Sequence, residues 1–84
     1  MKALFYPCDS DPQVITLETF TDAQECVCGI VEIQYKGQDQ MFLFNEEGRV
    51  MGLPTNPHYP QFVGNVLVVN RKQFDNLPFG IQGV

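Results

Sequence analysis

The sequence predicts an α+β domain: a small, mostly antiparallel twisted β-sheet of about four to six strands with one short α-helix. Three observations carry this. Residues 30–36 alternate, with Val31, Ile33 and Tyr35 on one side and Glu32, Gln34 and Lys36 on the other, the period of a strand. Val66-Leu67-Val68-Val69 is an unbroken β-branched and aliphatic run, suited to a central strand covered on both faces. Only one segment, around residues 21–28, carries helix-start and helix-stop signals.

The elements follow in chain order. Lys2–Tyr6 is a short aromatic-bearing run ended by Pro7 and reads as a strand. Asp9-Ser10-Asp11-Pro12 is a turn cluster, since Asp and Ser compete for local backbone hydrogen bonds and Pro sets φ. Gln13–Leu17 is β-prone and completes a hairpin with the first strand. Thr21 and Gln24 have capping-box spacing, with Phe20 placed as a hydrophobic staple. Asp22 and Glu25 lie near the positive end of that helix, and Gly29 stands where a C′ glycine would close it. A helix of about two turns does not persist alone, so it must pack on the sheet through Phe20, Ala23, Cys26 and Val27. Gly37-Gln38-Asp39 is a hairpin turn leading into Gln40–Phe44. Asn45-Glu46-Glu47-Gly48 reads as a type I turn closed by a left-handed Gly48, and Arg49–Met51 as the third strand of the meander.

Beyond Gly52 the prolines at 54, 57 and 60 cannot sit inside a sheet, because proline has no amide donor. Leu53–Pro60 is therefore a stiff crossover before the Asn65–Asn70 strand. From Arg71 the apolar Phe74, Leu77, Phe79 and Ile81 are interrupted by Pro78, Gly80 and Gly83. The expected organisation is one domain over residues 1–70 and a tail, 71–84, packing on the domain or on a partner. Residues 41–44 and 66–69 are apolar on both faces, more than one short helix can cover. The 53–62 segment, the tail or a second copy of the chain must cover the rest, so a homodimer is an expectation.

The chain of 84 residues fits one domain, and its 44% apolar content with seven Phe and three Tyr is that of a folded chain rather than a disordered one. The formal charge of −5 opposes direct binding to nucleic acid or to an anionic membrane. The acids are scattered rather than in dense runs, which is the pattern of a solvated surface and not of a DNA mimic. No apolar run approaches the about 18–20 residues that span a bilayer. The N-terminal residues lack the apolar segment of a secretion signal, so a soluble protein in the cytoplasm is expected.

Three strings share a pattern: Val27-Cys28-Gly29-Ile30-Val31-Glu32, then Asn45-Glu46-Glu47-Gly48-Arg49-Val50-Met51-Gly52-Leu53-Pro54-Thr55-Asn56, then Val63-Gly64-Asn65-Val66-Leu67-Val68-Val69. Together they resemble the family catalogued as domain of unknown function 3846, over roughly residues 2–70, most specifically from Asn45 to Asn56. The family is typical of bacteriophages and mobile elements, so the resemblance implies an accessory gene of that origin. It implies no activity. Cys28 stands where that family usually has glycine, and Pro57-His58-Tyr59-Pro60 where a basic residue usually follows the asparagine.

Catalytic chemistry is poorly provided for. His58 is the only imidazole and Ser10 the only serine, and nothing electropositive flanks Cys8, Cys26 or Cys28 to activate a thiol. Cys26 and Cys28 are two positions apart on a helix and point to different faces, which disfavours a zinc site with Cys8 and His58. Glu46 and Glu47 are turn residues rather than an acid–base pair. No phosphate loop, dinucleotide fingerprint or complete calcium loop is present. The expectation is a non-enzymatic protein, without catalytic residues, metal or cofactor, that binds and inhibits or modulates a host defence or regulatory protein. Tyr59, Phe62, Phe74, Leu77 and Phe79 are the candidate apolar anchors. The alternative is an oligomeric protein that binds or sequesters a nucleotide-type ligand through Arg49, Asn56, His58 and Tyr59, with backbone amides near Gly48 and Gly64.

Overall fold

The computed structural model describes residues 1–79. In chain order the elements are β1 (Lys2–Tyr6), β2 (Gln13–Thr16), α1 (Phe20–Val27), β3 (Val31–Lys36), β4 (Gln40–Asn45), β5 (Val66–Asn70) and α2 (Arg71–Asp75). The five strands form one sheet in the order β2-β1-β5-β4-β3, and every neighbouring pair is antiparallel. The architecture is thus the small α+β fold expected, with β5 in the middle of the sheet.

Register assigns the faces. Leu4, Val68 and Phe42 stand opposite one another across β1, β5 and β4, so their side chains share one face. On the other face Ala3, Leu43, Met41, Leu67 and Val69 pack with Leu17, with Ala23 and Val27 of α1, and with Phe74 of α2. The first face is covered by the 53–62 segment: Phe62 is buried with Phe42, Val66 and Val68, and Tyr59 packs beside them. Tyr59 meets Tyr6 and Phe42 edge-on, with centroids 4.9 and 5.0 Å apart, while Phe62 lies 5.0 Å from Phe42 and 4.5 Å from Phe44. Edge and tilted contacts of this kind suit the ring quadrupole and add to the burial itself.

Several local expectations are corrected. The helix starts two residues earlier than Thr21 suggested. Thr19 is the N-cap, and its box partner is Asp22, whose Oδ2 accepts from the Glu18 and Thr19 amides at 2.8 and 3.1 Å. Thr21 instead donates its hydroxyl to the Phe79 carbonyl at 2.9 Å. At the other end Cys28, not Gly29, takes the left-handed cap conformation (φ 65°). Gly29 is required for space, because a Cβ there would lie 2.9 Å from Asn45 Nδ2.

The proposed third meander strand, Arg49–Met51, does not exist; residues 46–52 form a turn. Gly48 is not left-handed either, whereas Gly52 is (φ 72°). The cause is Asn45, whose side chain captures the Glu47 amide at 2.7 Å and turns the chain away from β4 before a strand can return.

The segment after Arg71 is more ordered than its broken periodicity suggests. Asn70 Oδ1 accepts from the Gln73 amide at 3.0 Å and starts α2 directly from the end of β5. Phe74 enters the core, and the Phe20 ring sits 5.8 Å from both Phe74 and Phe79. The Phe20 amide donates to the Pro78 carbonyl at 2.6 Å. Residues 71–79 therefore pack on the domain. The remainder of the tail, with Ile81 and Gly83, lies outside the described residues.

Candidate binding site

Two buried asparagines organise the chain between β4 and β5. Asn45, at the end of β4, donates its Nδ2 to the carbonyls of Val27 and Cys28 at 3.0 and 3.2 Å, tying the loop to the C-terminus of α1. Asn56 donates its Nδ2 to the carbonyls of Tyr6 and Gly64 at 2.8 and 2.9 Å, and its Oδ1 accepts from the His58 and Tyr59 amides at 2.8 and 3.1 Å. Each is an Asx turn locked from behind by two carbonyls from elsewhere in the fold.

Between the clamps the backbone is tightly bonded. Amides of Gly48, Met51, Gly52 and Leu53 donate to the carbonyls of Asn45, Glu47, Arg49 and Gly48 at 2.9–3.2 Å. A Cβ on Gly48 would lie 2.8 Å from Val63 Cγ2, and one on Gly64 2.8 Å from Leu53 Cδ1, so both glycines mark places where two strands of the loop press together. Thr55 and Val63 form an isolated antiparallel bridge there.

The structure distributes the sequence-nominated residues widely. Asn56, Phe62 and Phe74 are buried and hold the fold, so they are not surface contacts. Leu77 packs half-buried against the core, and Phe79 is exposed beside Phe20. His58 Nε2 donates to the Ser10 carbonyl at 3.0 Å, which fixes its tautomer, and its ring lies 5.8 Å from that of Tyr6. Tyr59 leans on Tyr6 and Phe42. Arg49 is elsewhere, at an open cleft of about 330 Å³ shared with Glu32, Gln34, Phe44, Glu46 and Gln61. That cleft presents two carboxylates against one guanidinium, an unfavourable setting for a phosphate group. The polar residues nominated for a nucleotide thus do not converge on one pocket.

Two of the three thiols, Cys8 and Cys26, are disfavoured as thiolates. Burial pushes the Cys8 thiol up, and burial followed by the nearby Asp22 and Glu25 does the same to Cys26. A raised thiol leaves less thiolate at neutral pH.

Sequence reasoning missed the most exposed apolar group of the region. Val50 is 90% exposed, and Met51 and Ile30 are about half exposed. Met51 Sδ is 3.6 Å from Asn45 Nδ2, and the Glu46 amide donates to the Ile30 carbonyl at 2.8 Å. The available signal was the run Arg49-Val50-Met51 next to two glycines, which reads equally well as a strand.

Fold and loop together define a class: a small five-stranded α+β protein whose β4–β5 crossover is pinned by two asparagines and carries an apolar tip. The chain belongs to the family described as Domain of unknown function (DUF3846), which it matches over residues 1–79. No curated protein and no solved structure matches it significantly.

Proposed function

We propose that the protein is a non-enzymatic accessory protein of a phage or mobile element that binds a host protein, and that the tip of the 46–52 loop is its contact. The observation that supports this reading is the near-complete exposure of Val50, next to the half-exposed Met51, on a loop whose backbone is hydrogen-bonded and clamped by Asn45. Exposing an aliphatic side chain on a rigid turn gains nothing for folding. A preordered apolar tip does serve binding, because little conformational freedom is lost when a partner covers it. Arg49 beside the tip supplies a guanidinium that can pair with a carboxylate of the partner at the rim. Inhibition or modulation of a defence or regulatory process is part of the same proposal, motivated by the phage or mobile-element origin that the resemblance implies and by the small size and acidity of the chain.

The test is capture of partners from bacterial host lysate with the wild-type chain and with Val50→Asp. A partner retained by the wild type and lost with Val50→Asp, at unchanged melting temperature, supports the reading. Equal capture by both variants overturns it.

A further inference from the structure

The free edge of β3 is chemically complementary to itself. The Glu46 amide bonds the Ile30 carbonyl, so Ile30 and Glu46 form a hydrogen-bonded pair in the β3–β4 ladder. By the alternation of antiparallel ladders, Glu32, Gln34 and Lys36 also turn their backbone groups toward β4. The amides and carbonyls of Val31, Ile33 and Tyr35 consequently face outward, and among the described residues no strand pairs with them. Their side chains lie on the helix side of the sheet, with Ile33 44% and Tyr35 60% exposed. An open edge with apolar side chains beside it is what soluble proteins usually blunt. The opposite edge, β2, is shorter, at four residues, and is preceded by Pro12.

We infer that β3 pairs with β3 of a second copy of this chain, antiparallel and about a two-fold axis through Gln34, joining the two five-stranded sheets into one. This register makes the outward-facing Ile33 and Tyr35 the hydrogen-bonded positions, each opposite the other in the second copy, an aliphatic–aromatic pair on the helix side. On the loop side it sets Glu32 opposite Lys36 twice, once in each direction, with the two Gln34 amides between them. Shifting the register by one pairing step sets Glu32 against Gln34, and by two steps against another Glu32. The charge pattern therefore selects both the partner and the register. Lys36 is available, since its Nζ donates only to Gln40 Oε1 at 3.4 Å on the exposed surface. The pairing also brings the second copy's Lys36 to the mouth of the cleft that holds Glu32 and Glu46.

The experiment is sedimentation of the full chain across a concentration series, with three variants. The wild type is expected to reach twice the 9.5 kDa chain mass. Ile33→Pro removes an outward amide that β4 does not use, so it keeps the fold by circular dichroism and sediments as a monomer. Glu32→Lys and Lys36→Glu each set like charges opposite and weaken self-association by about tenfold or more, yet their equimolar mixture restores the dimer as a heterodimer. A wild type that stays monomeric throughout overturns the inference. So does a dimer that survives Ile33→Pro, or a mixture that associates no better than its separate components.

Discussion

Asn45 and Asn56 make the same arrangement at the two ends of one crossover, and what they hold differs. Both are buried, both turn the chain through an Asx bond, and both aim their amide at two distant carbonyls. Asn56 draws the aromatic cover onto the sheet: the turn it forms seats Tyr59 and Phe62 against Phe42. Asn45 draws its loop onto the end of α1 and leaves Val50 in water. One clamp closes the core, and the other displays a surface. The stretch that carries the family resemblance is thus principally a device for shaping the chain, and its outward product is the loop tip.

The largest test of this comparison is Asn56→Ala. It strips four hydrogen bonds and leaves carbonyls and amides stranded in a dry site. The expected loss is about 3 kcal/mol, a fall in melting temperature of about 15 °C for a domain this size. Asn56→Asp keeps the shape and the acceptor but turns an oxygen toward the carbonyls of Tyr6 and Gly64. The introduced carboxyl is disfavoured when ionised there, so its folded-state pKa lies above the unfolded value. The deficit against wild type is therefore least below about pH 4 and grows as pH rises toward that folded value. Urea titrations at pH 4 and pH 7 check the sign.

Asn45→Ala is expected to cost less, about 2 kcal/mol, because the Cys28 carbonyl it leaves lies at an exposed helix end where water can replace the bond. Equal losses at the two sites, by thermal denaturation, would remove the distinction drawn between them.

These roles were only partly legible in the sequence. The strands were, because Val31–Lys36 alternates and Val66–Val69 is continuously apolar. Asn45 in Asn45-Glu46-Glu47-Gly48 reads correctly as a turn former. Its helix-end partners, Val27 and Cys28, are 18 and 17 residues away, and the Tyr6 partner of Asn56 is 50 away, beyond any local pattern. Phe62 and Phe74 looked like surface anchors for a related reason. Prolines and glycines around them break the periodicity that would have revealed which way they face. Only Thr21 reads as the cap in the sequence; Thr19 takes the role because Asp22 reaches back to it and the Phe79 carbonyl occupies the Thr21 hydroxyl.

Gly48 tests whether the two halves of the crossover are pressed together by design of the chain or by chance. Its φ is not left-handed, so Gly48→Ala meets mainly Val63 Cγ2, at 2.8 Å, and not an intrinsic backbone penalty. The expected cost is about 1–2 kcal/mol. Val63→Ala removes that methyl, so the double variant should lose less than the sum of the singles, by about 0.5 kcal/mol or more. Strict additivity in a double-mutant cycle would mean that the loop relaxes elsewhere.

The smallest expected effect is the most decisive for function. Val50→Asp alters a side chain that points into water from a turn held by backbone bonds and by Asn45, so stability should stay within about 0.5 kcal/mol of wild type. Asn45→Ala should loosen the same tip without changing any exposed side chain. If the tip binds through preorder, both kinds of change weaken partner capture, the first by removing contact and the second by restoring loop entropy. Adding a disulfide-free rigidifying change cannot rescue Val50→Asp, whereas lowering the temperature, which repopulates the ordered loop, should partly rescue Asn45→Ala. Capture that survives Asn45→Ala at full strength would mean the tip is recognised as a flexible segment, and the clamp would then serve the fold alone.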